Sequence, residues 1–163
     1  MYKPINKEYI ISEIPEHGRF GTKRKFDTHT GVDLYCRAGE RVYAIEDGIL
    51  VDVVKFTGSD AGSPWWNDTY AILVEGESGV ILYGEVEAPF LIKGMNIKGG
   101  QFLSNVVQVL KTDKGLPMCM LHIELYETGY RNGGEWWRHK RPEWLLNVEE
   151  LLKKIYTNGT THT

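Results

Sequence analysis

The chain has 163 residues and a formal net charge of -3, with 42% hydrophobic and 25% charged residues. This length and composition are those of one globular domain with a core of its own, and the negative balance excludes a broad electrostatic attraction to nucleic acid. No apolar run reaches the roughly 20 residues of a membrane-spanning helix. We therefore expect residues 1–163 to form a single domain, without a membrane span and without nucleic acid as a partner.

The N-terminal segment MYKPINKE lacks the apolar stretch of a secretory signal peptide. This favours a cytoplasmic protein or a component of a phage particle, and an extracellular one only if the chain is processed or trimmed. Residues 1–17 show little periodicity and are expected to be irregular, and the basic run at 23–25 is predicted to be a solvated loop.

Short alternating segments separated by glycine-containing turns dominate the middle of the chain. We predict strands, in chain order, at residues 41–45, 49–54, 70–75, 79–86, 90–92, 101–103, 106–110 and 120–124. Two of them, 70–75 and 79–86, are separated by a short glycine-flanked turn and are predicted to form a hairpin. The pattern is typical of an all-β protein, here a small antiparallel β-sandwich or open barrel.

The composition changes after about residue 126, where the predicted core of about 18–126 ends. A loop rich in glycine and tryptophan follows, and a terminal helix begins at Asn147, so that loop and helix together span 127–158. Asn147 is a good helix cap, and Gly159 follows the predicted last residue. We expect Leu151, Leu152 and Ile155 to pack against the sheets.

Three residues could hold a metal ion: His29, Asp33 and His122. Imidazole nitrogen and carboxylate oxygen are good zinc donors, and three protein ligands leave one tetrahedral position open. Four residues of extended strand would separate the first two ligands by roughly 13 Å. The pair therefore needs a bend, for which Gly31 is the natural place. Alternation along 120–124 puts His122 on the same strand face as Glu124.

The segments around these residues resemble the lysostaphin-type zinc endopeptidases, which cut peptidoglycan cross-bridges. That family reads H-x-x-x-D, then G-x-x-V-x-A-x-x-D-G-x-V, Y-x-H-L, K-x-G-Q, and H-x-H followed by an acid. The matching segments of this chain, in order, are HTGVD (29–33), GERVYAIEDGILV (39–51), YGEV (83–86), IKGGQ (97–101) and MLHIE (120–124). The resemblance runs from about residue 18 to about residue 126, and it implies that His29, Asp33 and His122 bind Zn²⁺.

Two departures from the family pattern concern the chemistry. The histidine of Y-x-H-L is replaced by Glu85, and the first histidine of H-x-H by Met120. In the family these histidines help to activate the zinc-bound water and to stabilise the oxyanion, so the chain resembles a degenerate member that lacks both. Glu85 has two open roles, general base or fourth ligand. Glu124 matches the closing acid and is expected to support a ligand by hydrogen bonding.

Two tryptophan pairs lie in loops: Trp65 with Trp66, and Trp136 with Trp137. Indole rings can stack on a sugar ring or clamp a peptide, so we predict that these residues line a substrate groove. The alternative is that they close the ends of the sandwich.

The residues leave three functions open. They favour a zinc-holding module that recognises cell-wall peptide or another peptide ligand without cleaving it, because general-base loss alone costs about 10²–10⁴-fold in rate. The first alternative is an active metalloendopeptidase that uses Glu85 as its base. The second is a structural or assembly protein of a phage. The residues do not predict the oligomeric state.

Overall fold

The computed structural model describes residues 1–161, so residues 162 and 163 of the predicted domain lie outside the description. In chain order the strands and the helix are β1 (Val32–Tyr35), β2 (Arg41–Tyr43), β3 (Gly48–Thr57), β4 (Thr69–Gly76), β5 (Gly79–Val86), β6 (Asn96–Ile97), β7 (Phe102–Asn105), β8 (Met120–Tyr126), β9 (Leu145–Leu146) and α1 (Glu149–Asn158). The predicted all-β fold with antiparallel pairing and a C-terminal helix is confirmed. In the described part of the chain, no helix is long and apolar enough to cross a membrane.

One large antiparallel sheet carries most of the fold. Its strand order is β1-β8-β5-β4-β3-β6, with β9 paired to β8, and β2 pairs with β7 in a separate two-stranded sheet. Both faces of the large sheet are covered. Leu121 and Ile123 of β8 point into the main core, which also takes Leu152 and Ile155 of α1. Tyr126 points to a second apolar cluster on the opposite face.

The hairpin predicted from the middle of the chain is present. Gly76 and Gly79 pair across a two-residue turn at the ends of β4 and β5. Ser78 in the turn donates its backbone N–H and its hydroxyl to the two carboxylate oxygens of Glu46, both at 2.9 Å. A short turn fixes the register of the hairpin. On its other edge β5 pairs with β8, where Gly84 lies opposite His122.

The strands predicted at 90–92 and 106–110 are wrong. Phe90 and Ile92 are fully or mostly exposed in a loop that follows the end of β5. Val106 and Leu110 make only isolated bridges, to Val86 and Trp66. These segments are short apolar runs, and such runs contain no signal that separates a strand from an apolar loop.

Helix α1 begins two residues later than predicted. The N-cap is Val148 rather than the predicted Asn147. Asn147, one residue earlier, still accepts the backbone N–H of Glu149 through its side-chain oxygen at 2.9 Å. Leu152 and Ile155 are almost completely buried, and Leu151 is half-buried against the same core.

An ion pair joins α1 to the segment that precedes β1. Arg19 donates through Nε and Nη2 to the two carboxylate oxygens of Glu149 at 2.9 and 2.8 Å. The backbone N–H of Phe20 donates to the same carboxylate at 3.2 Å. Hydrogen bonds from Arg19 hold the pKa of Glu149 below its ordinary value of 4.5, although partial burial opposes the shift. A bidentate pair of this kind fixes both partners.

Replacement of Glu149 by Gln should lower the free energy of unfolding by about 1–2 kcal/mol, because one charged acceptor of three hydrogen bonds is lost. Since the folded-state pKa of Glu149 is depressed, the difference from wild type should be complete above pH 4.5 and should shrink as the pH falls below it. Urea unfolding at several pH values measures this. Glu150→Gln is the matched control, because among residues 1–161 Glu150 makes only an exposed pair with Lys153. An equal loss in both variants would contradict the assignment.

Candidate metal centre

The three predicted ligands converge at one point. His29 lies in the segment before β1, Asp33 is on β1, and His122 is on β8 directly opposite Asp33 in the antiparallel register. All three side chains are buried, and one donor atom of each lies within 4.8 Å of the others. Asp33 Oδ1 lies 2.8 Å from His122 Nδ1 and 3.2 Å from His29 Nε2, and the two nitrogens are 3.2 Å apart. Tetrahedral ligands about 2.0 Å from an ion are about 3.3 Å from each other, so this spacing fits a shared ion.

In each histidine, one ring nitrogen points away from Asp33. The hydrogen bond of that nitrogen determines which tautomer the ring adopts. His29 Nδ1 lies 3.0 Å from the carbonyl oxygen of Arg19, which can only accept a hydrogen bond, so Nδ1 carries a proton. His122 Nε2 likewise lies 2.8 Å from a carboxylate oxygen of Glu124. In their neutral forms both rings therefore turn a lone pair toward Asp33 Oδ1. Three acceptors at this distance repel one another unless a cation lies among them, and this donor set suits a metal ion.

The carboxylates of Asp33 and Glu124 favour the protonated form of His122. Burial alone would lower the pKa of His122, but its hydrogen bonds to Asp33 and Glu124 outweigh burial and raise this pKa to about 10. Burial would also raise the pKa of Asp33, and the charges and hydrogen bonds of His29 and His122 instead hold it well below its usual range. A metal ion must displace the proton on His122, so metal affinity should increase with pH.

Gly31 provides the bend between the first two ligands, as predicted. The reason for glycine is close approach rather than a left-handed backbone, since Gly31 is not among the described residues with positive φ. A Cβ at this position would collide with the carbonyl oxygen of Ile123 on β8. The absence of a side chain thus lets the chain pass against β8, so that His29 reaches the same point as Asp33.

Glu124 is placed as the sequence suggested, beside a ligand. Besides His122, its carboxylate accepts hydrogen bonds from the hydroxyl of Thr30 at 2.5 Å and from that of Tyr126 at 2.6 Å. The hydrogen bond to His122 and its charge lower the pKa of Glu124, although burial would raise it, so the carboxylate is ionised. The sequence reasoning missed Thr30 and Tyr126; the period-two spacing of His122, Glu124 and Tyr126 was the available signal.

No protein-family model and no curated protein matches this chain by sequence. Solved structures do match in three dimensions. The catalytic domain of lysostaphin, an antimicrobial peptidase from Staphylococcus simulans, is 17% identical with a TM-score of 0.57, over 83% of this chain and 89% of that one. A mutant catalytic domain of the prophage-encoded M23 protein EnpA from Enterococcus faecalis is 21% identical with a TM-score of 0.53, over 79% and 84%. CbpA from L. salivarius REN is 16% identical with a TM-score of 0.54, over 93% and 91%.

These matches cover most of each chain and include two enzyme domains of one type. The chain has the lysostaphin-type peptidase fold. At this level of identity the likeness concerns the fold, and the chemistry must be argued from the residues that this chain brings to the site.

Glu85 lies at an irregular point of the lysostaphin-type sheet. The pairing of β4 with β5 shifts between Tyr70, opposite Val86, and Ala71, opposite Gly84, so Glu85 is the extra residue of a β-bulge. Its φ of 66° is the only positive value of a non-glycine residue in the described chain. A bulge re-aims a side chain, and here it turns Glu85 into the cavity that His122 and Asp33 also line.

The Glu85 carboxyl group is held in an unusual environment. Its Oε2 atom is buried and has no hydrogen-bond partner among the described residues. Burial, followed by the nearby charge of Asp33, raises the pKa of Glu85 to about 8. Met120, at the other changed position, is buried on the same strand as His122 and offers only a thioether sulfur. Of the two positions at which the chain departs from the motifs it resembles, only Glu85 has a carboxyl group that can take up or release a proton.

The cavity extends from the ligands to the tryptophan loops and has a volume of about 210 Å³. Trp66, Trp136 and Trp137 line it, and the rings of Trp66 and Trp136 stack at a centroid distance of 6.4 Å and an interplanar angle of 17°. Trp65 is not among the lining residues. It is 54% exposed and packs edge-on against Trp66.

Protein purified without added chelator should contain about one equivalent of metal, and His122→Ala should contain little, because a buried ligand is lost. Elemental analysis by mass spectrometry measures this, and a chelator should lower the melting temperature of the wild type but not of the variant.

His139→Ala is the matched control, since His139 is exposed and lies outside the cavity lining. His29→Ala is a second ligand variant, in case His122→Ala folds poorly. Equal metal content in wild type and both ligand variants would contradict the centre.

Proposed function

We propose that this chain is a zinc-dependent peptide-recognition domain that binds peptidoglycan peptide. The observation that carries the proposal is that the ligand set and three tryptophans line one cavity. Zn²⁺ is the ion that two imidazoles and one carboxylate favour when one position stays open. The motif resemblance to peptidoglycan endopeptidases supports this class of ligand, and so does the fold that the chain shares with lysostaphin.

The stacked indoles give the cavity a wall suited to a peptide backbone or a sugar ring. Trp137 is fixed by its contact with Phe20 at 5.8 Å, and its carbonyl accepts the backbone N–H of Thr28 at 2.7 Å. Trp136 is 43% exposed and lies under the guanidinium of Arg138 at 4.9 Å. An aromatic face that is held in place but still exposed can bind a ligand at a low cost in side-chain entropy.

Recognition is favoured over efficient hydrolysis because of two positions in the motifs that the chain resembles. The family has a histidine at each, whereas this chain has Glu85 and Met120, and only Glu85 is an acid–base group. Met120 cannot donate or accept a proton. Loss of one proton-transfer group typically costs about 10²–10⁴-fold in rate. Binding does not need that group, and the ligand set and the aromatic wall are both present.

Trp136→Ala and Trp66→Ala should each weaken co-sedimentation with purified sacculi by about 5- to 30-fold, the loss expected for an aromatic anchor. Trp65→Ala is the matched control, since Trp65 is a neighbouring exposed indole outside the cavity lining. The measurement is a binding isotherm at fixed zinc concentration. If Trp65→Ala weakened retention as much as the other two variants, the cavity would not be the binding surface.

A second candidate function, peptide-bond hydrolysis, is favoured by the position of Glu85. A bound zinc ion would acidify water and polarise a peptide carbonyl. Glu85 lines the same cavity, and within residues 1–161 its Oε2 has no hydrogen-bond partner, which supports a role as proton acceptor. A nearby cation would lower its pKa from about 8 toward neutrality, the range in which a general base works best.

Glu85→Gln should abolish any release of peptide amino groups from sacculi while zinc content and co-sedimentation stay unchanged. Glu135→Gln is the matched control, because Glu135 is an exposed carboxylate of the same cavity lining. Amine-release kinetics on zinc-loaded protein measure this. A zinc-loaded wild type that releases nothing would exclude hydrolysis and leave recognition standing.

A further inference from the structure

Arg24 brings a permanent positive charge to the ligand side of the cavity. Its Nη2 donates to the carbonyl oxygen of His17 at 2.6 Å and lies 3.5 Å from Asp33 Oδ2. The side chain is 34% exposed and lines the cavity together with Glu85 and His122. The hydrogen bond from Nη2 to the carbonyl oxygen of His17 restricts the orientation of the guanidinium.

Most of the donors of Arg24 remain available. Within residues 1–161, neither Nε nor Nη1 has a hydrogen-bond acceptor, and the contact of Nη2 with Asp33 is long. Asp33 turns its other oxygen to the two histidines, and Glu124 is occupied by Thr30 and Tyr126. Asp33 and Glu124 thus have partners of their own. Glu85 lines the same cavity, but among the described residues no hydrogen bond joins it to Arg24, so the guanidinium is incompletely paired.

The other cation of the cavity lining is in a different position. Lys55 pairs with Asp60 at 2.8 Å, and both side chains are more than half exposed. Its charge is therefore neutralised locally and screened by solvent. Arg24 differs because its charge lies beside the ligand set and because its planar fork matches two oxygens at once.

We propose that Arg24 binds a carboxylate of the peptide ligand, so that the cavity selects peptides that carry a free carboxyl group next to the bound segment. The inference rests on the proposed recognition function and names the chemistry of its ligand. A terminal carboxyl group and an acidic side chain offer the same two oxygens, and both are included. Arg24 acts on the ligand directly, in addition to its contact with Asp33.

Three probes separate these sources: acetyl-trialanine as the free acid, the same peptide as its carboxamide, and a carboxamide with glutamate as the middle residue. Calorimetric titration of zinc-loaded wild type should show at least tenfold tighter binding for one or both carboxylate peptides than for the uncharged carboxamide. The peptide that gains affinity identifies the source. Arg24→Gln should abolish the difference, Arg24→Lys should keep part of it, and Lys55→Gln should keep all of it.

The ratio of carboxylate to carboxamide affinity is the decisive quantity, because a purely structural role of Arg24 would weaken all peptides alike. Zinc content is measured in each variant, and Arg24→Lys at saturating zinc carries the test if Arg24→Gln loses the ion. Equal affinity for the three peptides overturns the role of Arg24. So does binding of none of them while sacculi still retain the protein, and in both cases the recognition function stands. If neither peptides nor sacculi bind, the recognition function fails as well.

Discussion

Antiparallel pairing of β1 with β8 places Asp33 directly opposite His122, and the whole site depends on this register. A shift by one residue would turn His122 into the main core and bring Leu121 or Ile123 to the cavity. The apolar residues on the other face of β8 prevent that shift, since they are fully buried. The same hydrophobic pattern that stabilises the sheet therefore also fixes the positions of two ligands, and His29 joins them because Gly31 allows close approach to β8.

The remainder of the site combines three candidate metal ligands with the carboxyl group of Glu85. The left-handed backbone at Glu85 costs a residue other than glycine of order 1 kcal/mol or more, which the surrounding sheet must offset. A strained backbone of this kind is retained where it positions a particular side chain. Here the side chain is that of Glu85, whose carboxyl group lies in the cavity. A protein that only needed the fold could have a regular β5. The bulge thus accounts for the position of the Glu85 carboxyl group beside the candidate metal ligands.

The sequence predicted the parts of the site that depend on local patterns. His29, Asp33 and His122 were predicted from donor chemistry together with the resemblance to the lysostaphin-type motifs, and the face of β8 was predicted from alternation. The orientation of Glu85 could not be predicted, because a bulge depends on how two strands pair across the sheet. Arg24 was predicted to lie in a solvated loop, and its approach to Asp33 arises from a loop conformation that local residue preferences do not encode. Tertiary contacts, rather than composition, decide such positions.

Arg19 connects two parts of the molecule that are far apart in sequence. Its side chain is bound to Glu149 at the start of α1, while its carbonyl oxygen accepts the Nδ1 proton of His29. A metal ion bound by His29 would consequently be in thermodynamic linkage with the C-terminal helix through a single residue. By reciprocity, an ion that orders His29 also protects the first turn of α1 from opening, and fraying of that turn raises the dissociation constant of the ion. A helix that contributes no ligand would in this way tune the affinity of the site for its ion.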